Sequence, residues 1–384
     1  MNIKGVNLGG WLMMEGYILG GRNIPEKEFK KNFKKINGEV ELKDFENKFR
    51  ENFIKKDDFK NISLICANTI RLPFNYRIIE NNIEYLEKAL DLAEEYNLKV
   101  ILDLHAAIGS QNKDWHSDSA GEALLWKDKK YRLHTYKNWE FLADKFRNKK
   151  SLLGYDILNE PVLEDRSILK NFYSDLIKII KKIDKSHIIF LEGNIWAQEI
   201  DFLKDLIEEN VWISIHSYQP LNYVFNFVPL YKYPGKIDGV FWDKKRLYNY
   251  LKPYYIFSKK HNVKIYVGEF GINWRGGVFG EVDYLKDLLD IFEEFGFGYT
   301  YWTYKAVATY NFPNGIYQYL PNTKYISREG PIFGWENYIY NWKEKKEEII
   351  SFWDTSKFNP VKELIEVLKK YFKINDCPCH LNKR

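Results

Sequence analysis

Two glutamates stand in near-identical settings. Asn159-Glu160-Pro161 follows the apolar run 153–158, and Gly268-Glu269-Phe270-Gly271 follows 263–267. Each is read as ending a β-strand, where packing gives no reason for a carboxylate, because ionised carboxyls are almost never fully buried without a partner. Two such ends facing each other in one barrel suit cleavage of a glycosidic bond. A retaining hydrolysis needs one protonated and one ionised carboxyl about 5 Å apart, their pKa values separated by environment.

Other strand ends deliver polar or aromatic groups as well: Arg71, His105, Asn159, His216, Tyr218 and Trp302. Arg71 beside Glu269 would keep that carboxylate ionised and oriented, which suits a nucleophile. Glu160, in a less charged setting, would keep its proton and serve as acid, then as base. Asn159 offers an amide to a sugar hydroxyl, His216 and Tyr218 can hydrogen-bond around the carboxylates, and Trp302 supplies a flat floor. His105 is expected to position Arg71 or a hydroxyl. Taken singly, each has a plainer explanation, since Asn-Glu-Pro is ordinary turn chemistry, an Arg can be an ion-pair partner, and His or Trp can be core. Their joint placement is what points to chemistry.

The elements that must position these residues alternate. Strands are expected at 3–7, 69–73, 100–105, 153–159, 188–192, 212–216, 265–269 and 299–304, with amphipathic stretches at 45–61, 83–96, 131–146, 168–183, 200–208, 244–261, 282–295 and 361–372. Alternation of this kind predicts a parallel sheet closed into a (β/α)₈ barrel, an α/β fold with its chemistry at the C-terminal ends of the strands. Ser167 is expected to cap the fourth helix, and Gly296 and Gly298 to end the seventh. Three long connections, 105–130, 217–242 and 305–359, carry Trp115, His116, Trp126, Tyr218, Tyr223, Phe225, Phe227, Tyr231, Tyr233, Trp242, Tyr310, Trp335, Trp342 and Trp353. Loops this long are usually functional, and all would lie on one face and build an aromatic-walled cleft.

A chain of 384 residues suggests more than one domain by length alone, but one barrel with long loops accounts for it, ending in a short tail at 373–384. The net charge of +5, from 58 basic and 53 acidic residues, comes without a long basic run, which argues against nucleic acid. Aromatics at 17% exceed ordinary core filling and suit the faces of sugars. Three cysteines, Cys66, Cys377 and Cys379, do not make a framework of the secreted kind. Cys66 is read as an inert core thiol, and Cys377-Pro378-Cys379-His380 as half a metal site lacking its other half. No stretch approaches a membrane span, and the start, Met1-Asn2-Ile3-Lys4-Gly5, lacks the pattern of a secretory signal. The reading is therefore a soluble cytoplasmic protein, or a secreted one whose leader has been removed.

With its residues set out, the chain resembles glycoside hydrolase family 5, the cellulase-like members. The family's Arg, two His, Asn, Tyr, Trp and two Glu find matches in order: Arg71 in Arg-Leu-Pro-Phe, His105 in Leu-Asp-Leu-His, Asn159 and Glu160 in Leu-Asn-Glu-Pro, His216 and Tyr218 in His-Ser-Tyr, Glu269 in Gly-Glu-Phe, and Trp302 in Tyr-Trp-Thr-Tyr. The resemblance implies Glu160 as acid/base and Glu269 as nucleophile. Gly5-Val6-Asn7-Leu8-Gly9-Gly10-Trp11-Leu12 and the stretch 102–112 look like the exo-β-1,3-glucanase branch, which implies that Glu15 contacts the terminal sugar. Gly268-Glu269-Phe270-Gly271 looks more like endoglucanases.

The expected activity is a retaining β-glycoside hydrolase acting on a β-1,3- or β-1,4-glucan or its oligosaccharides, with β-mannan as the alternative substrate. No cofactor is implied, since there is no glycine-rich phosphate loop and hydrolysis needs only water. Two readings from other classes stand beside it. One is a metal-dependent barrel hydrolase using His105, His116 and His216, for which no His-x-His pair exists on the first strand; the other is a non-catalytic carbohydrate-binding protein on the same fold. Oligomeric state is left open.

Overall fold

The computed structural model describes residues 2–307, 310–319 and 334–373. The Cys377-Pro378-Cys379-His380 segment lies outside the described residues. Eight parallel strands close into a barrel: β1 (Lys4–Asn7), β2 (Thr69–Asn75), β3 (Lys99–Ala106), β4 (Leu152–Asp156), β5 (Ile188–Glu192), β6 (Val211–Ser217), β7 (Ile265–Phe270) and β8 (Gly298–Tyr301). Each pairs with its chain neighbour, and β1 pairs with β8 to close the ring.

A strand's period of two decides what the barrel interior holds. On β3, Val100, Leu102 and Leu104 face the helices while Ile101, Asp103 and His105 alternate with them; all are buried. Ile3, Ile101, Phe190 and Tyr266 form an apolar layer of their own, with Phe190 and Tyr266 ring centroids 4.9 Å apart. Two residues further along the same strands come Asp103 and Glu192, and the side chains turn from apolar to charged. The barrel is thus filled, not hollow.

The surrounding helices form for the usual reason, an apolar stripe that must be buried. In Arg166–Ile183, Leu169, Phe172, Tyr173, Leu176, Ile177 and Ile180 are buried, each contributing about 1.5–3 kcal/mol. Its cap is Asp165, whose side chain accepts the Ser167 N–H at 2.9 Å, and not Ser167 as expected. Gly296 does end the Glu281–Phe295 helix, in the left-handed conformation, while Gly298 opens β8. The stretch 200–208 is a short 3-10 segment, Asp201–Leu206.

Three local expectations need correction. The fourth strand stops at Asp156, so Asn159 and Glu160 lie in a bend beyond it. The segment 305–359, expected as loop, contains the helix Gly334–Phe352, whose Trp335 and Trp342, like Trp353 after it, are fully buried. Trp335 and Trp342 pack on a helix the sequence reading omitted, Glu26–Asn37, as in the Phe29–Trp335 stack at 4.6 Å, and Trp353 packs on Phe45 and Phe49 of the following helix, Glu39–Phe53. Finally Cys66, read as an inert thiol, is disulfide-bonded, a pairing that cysteine spacing alone did not signal. Among the described residues no helix is long and apolar enough to cross a membrane.

Candidate active site

Glu269 lies within β7, preceded by Gly268. A Cβ at Gly268 would sit 2.9 Å from Ser214 Oγ and 3.1 Å from His216 Nε2, so a residue without a side chain is needed for β6 to bring His216 alongside. Glu269 Oε1 accepts from Arg71 Nη1 at 2.7 Å, and Oε2 accepts from the Tyr218 hydroxyl at 2.8 Å. Arg71 itself points inward from the middle of β2, not from its end as expected, and is fully buried.

That guanidinium is the hub of a buried ion layer. It reaches Asp156 Oδ2 at 2.8 Å, Glu192 Oε1 at 2.9 Å and Asp103 Oδ2 at 3.0 Å, and donates to Asn159 Oδ1 at 2.8 Å. Burial works against its charge, yet the surrounding carboxylates outweigh burial and hold Arg71 firmly protonated. One guanidinium does not balance so many carboxylates. Burial, with the neighbouring Glu192 charge, pushes Asp156 up to about 8, and burial raises Asp103 well above the usual carboxylate range despite Arg71. Removing one partner from such a cluster would leave uncompensated buried charge, typically a loss of about 3–5 kcal/mol.

Glu160 is held differently. Its φ of 46° is left-handed backbone, unusual for a residue with a side chain, and its N–H donates to Glu192 Oε2 at 2.6 Å, which ties the bend to the ion layer. His216 Nδ1 lies 2.6 Å from Oε1, and His116 Nε2 lies 3.1 Å from Oε2. Burial opposes ionisation of Glu160, but its contacts with His116 and His216 outweigh it and hold the carboxyl well below the usual range, a correction to the expected less charged setting in which it would keep its proton. One carboxylate oxygen of Glu160, one of Glu269 and a ring nitrogen of His216 all fall within 4.8 Å of one another.

Both carboxylates open into one cavity of ≈ 390 Å³, lined also by Glu15, Tyr17, His105, His216, Tyr218 and Trp302. His105 stacks on Trp302, ring centroids 5.4 Å apart and 9° from parallel, and its Nδ1 meets Asp103 Oδ2 at 2.8 Å, so it touches Arg71 only through Asp103. Burial pushes the His105 ring down to about 3, leaving it neutral. Glu15 Oε1 is buried without a hydrogen-bond partner, 3.8 Å from His105 Nε2; burial, then the charges of Glu269 and Glu160, raise its pKa well above the usual range. Asn159 stands a layer below with its Nδ2 unpartnered. The residues read from the sequence therefore converge on one place.

The cavity wall is partly what the long connections promised. Trp115, Phe225, Phe227 and Phe312 line it, but Trp126 packs on Phe172 at 5.5 Å, and Tyr223 and Tyr233 are buried beneath the loop. Sequence reading missed Tyr17, whose hydroxyl accepts from Trp302 Nε1, and Trp196 on the wall after β5. Ile195, Trp196 and Ala197 all have left-handed backbone, and Trp196 Nε1 donates to Asp114 Oδ2 at 2.9 Å, which fixes a half-exposed ring at the cavity. A lone Trp in Gly-Asn-Ile-Trp carried no periodic signal.

Could a metal be held here? Besides the Glu160–His216–Glu269 group, the described residues bring together Asp103, Asp156 and Glu192, where Arg71 already supplies the cation. The histidine trio 105, 116 and 216 does not form such a group among the described residues; its nitrogens face carboxylates instead.

Known proteins resemble this chain in sequence and in shape. It is 29% identical over 332 residues to a beta-xylosidase of Phanerodontia chrysosporium, covering 80% of this chain and 67% of that protein. To endoglucanase C of Acetivibrio thermocellus it is 24% identical, over 67% of this chain and 85% of the relative. The crystal structure of an endoglucanase from the hyperthermophilic Thermotoga maritima superposes with a TM-score of 0.62 at 17% identity, covering 95% and 96% of the two chains. The sequence model for cellulase, glycosyl hydrolase family 5, matches residues 28–307. A match over that span, on an eight-stranded barrel with paired glutamates in its cavity, makes the chain a glycoside hydrolase belonging to glycosyl hydrolase family 5.

Proposed function

We propose that the enzyme cleaves β-1,3- or β-1,4-linked glucan, or oligosaccharides derived from it, by double displacement, with Glu269 as nucleophile and Glu160 as acid/base. The observation that carries this reading is the approach of the two carboxylates within 4.8 Å. That separation fits retention, whereas inversion leaves roughly 6.5–9.5 Å for a water between them.

In the first step a Glu269 oxygen bonds to the anomeric carbon as the glycosidic C–O bond breaks, and Glu160 gives its proton to the leaving oxygen. In the second, Glu160 takes a proton from water, whose oxygen bonds to the anomeric carbon as the Glu269 ester breaks. Arg71 and Tyr218 bind one oxygen each of the nucleophile and keep it aimed through the first step. Trp302 supports the ring being cleaved, and Glu15 offers a hydrogen bond to its hydroxyls, while Asn159, beneath the cavity, holds Arg71 in place.

A product profile on laminarin, carboxymethylcellulose and glucomannan tests linkage, mode and the mannan alternative together. Release of the β-anomer first, seen by proton NMR, is the expected outcome; first release of the α-anomer would sink the retaining assignment. A β-xyloside substrate is the second reading, favoured by the beta-xylosidase relative that matches over 80% of this chain. A preference for nitrophenyl β-xyloside over the β-glucoside by tenfold or more in kcat/KM would decide for it.

A further inference from the structure

His116 lies outside the residues invoked above for hydrolysis, yet its Nε2 is 3.1 Å from Glu160 Oε2 in the cavity both residues line. The same Nε2 lies 3.0 Å from Asn112 Nδ2. The orientation of Asn112 follows from its other contacts: Oδ1 accepts the Asp114 N–H at 2.8 Å, and Nδ2 donates to the Glu160 carbonyl at 2.9 Å. Asn112 therefore brings an N–H to His116 Nε2. Only an unprotonated ring nitrogen accepts it. With Nε2 unprotonated, its contact with Glu160 Oε2 is favourable when the carboxyl carries the proton, and repulsive when it does not.

Building on the acid/base reading of Glu160, we propose that His116 is a positioning residue, held by Asn112 as a hydrogen-bond acceptor, which shares one proton with Glu160 and biases it toward the carboxyl. That proton goes to the leaving oxygen as the glycosidic bond breaks, and the proton taken from water in the second step restores it. His216 binds the other carboxylate oxygen. The remaining charged or titratable groups facing His116 are Asp114, Glu269 across the cavity and the neutral His105, whose ring centroid is 6.2 Å away. Taken alone, the contact with Glu160 raises the pKa of His116 and lowers that of Glu160, which would put the proton on the ring; burial of His116 and the Asn112 N–H held at Nε2, which only an unprotonated nitrogen accepts, oppose that and return it to the carboxyl.

The test compares aryl β-glycosides with good and poor leaving groups, dinitrophenyl and phenyl, on the full chain. Dinitrophenolate departs without protonation; phenolate does not. His116→Ala is expected to lower kcat/KM on the phenyl glycoside by roughly 10–100-fold, within the range that acid–base catalysis supplies, and to change the dinitrophenyl value less than about threefold. The alkaline limb of the kcat/KM profile should move to lower pH by about one unit. His116→Gln, whose amide oxygen can accept the same hydrogen bond, should recover part of the loss. Equal losses on both substrates with an unmoved pH profile would overturn the proposal and leave His116 a packing residue. Glu160→Ala separates the two claims: if it keeps wild-type activity on the phenyl glycoside, the acid/base reading and this inference fall together, whereas loss in Glu160→Ala beside a flat response in His116→Ala sinks the inference alone.

Discussion

Glu269 and Glu160 line the same cavity, but the first is gripped by a guanidinium and a phenol and the second by two imidazoles. The difference is one of exchangeability. Arginine does not give up its proton in proteins, so a carboxylate bonded to Arg71 keeps an ionised partner throughout. Imidazoles trade protons near neutral pH, so the surroundings of Glu160 can follow a proton that leaves and returns. The backbones differ in the same sense: Glu269 is built into a strand with neighbours on both sides, and Glu160 sits in a left-handed bend past the end of β4. A group that must stay charged and aimed is placed on the rigid element.

The largest expected effect comes from removing the nucleophile. Glu269→Gln should lower kcat by roughly 10⁴-fold or more on every substrate, and steady-state rates within tenfold of wild type would erase the distinction between the two carboxylates. Glu160→Gln should cost roughly 10²–10⁴-fold on substrates with poor leaving groups and far less on dinitrophenyl glycosides; equal losses on both would mean that it is not the acid. Arg71→Met leaves several carboxylates without their cation, and a drop of about 3–5 kcal/mol in unfolding free energy is expected in urea titrations at neutral pH. A stability change below about 1 kcal/mol would show that the ion layer needs no fixed charge. The smallest effect is that of Tyr218→Phe, which deletes one hydrogen bond to a charged group, about 1.5–3 kcal/mol or roughly 10–150-fold in kcat/KM, with folding stability preserved.

Aromatic residues show how far local pattern reaches. Trp335, Tyr338, Ile339 and Trp342 recur at spacings of three, four and seven, the stripe of a buried helix, and all are buried in the Gly334–Phe352 helix. That signal was present in a segment taken for a loop because its length and its position after the last strand suggested one. Trp196 is the opposite case. Its half-exposed place at the cavity depends on three successive left-handed residues and a bond to Asp114, none of which has a periodic trace. The barrel strands were legible because buried parallel strands read as short apolar runs; the buried ion layer was not read, although Asp103 and Glu192 break those runs.

The sequence by itself determined the alternation of strands and helices, the ring order that follows when each strand pairs with its neighbour, and the cluster of polar types at the strand ends, since all of these are short-range consequences of periodicity and burial. Only the tertiary structure decided that Arg71 meets Glu269 across the barrel, that His116 and His216 clasp opposite oxygens of Glu160, and which rings form the wall and which the core. Those contacts join residues far apart in the chain. Their distances are set by closure of the barrel and by loop backbone, where no repeating pattern of side chains records the outcome.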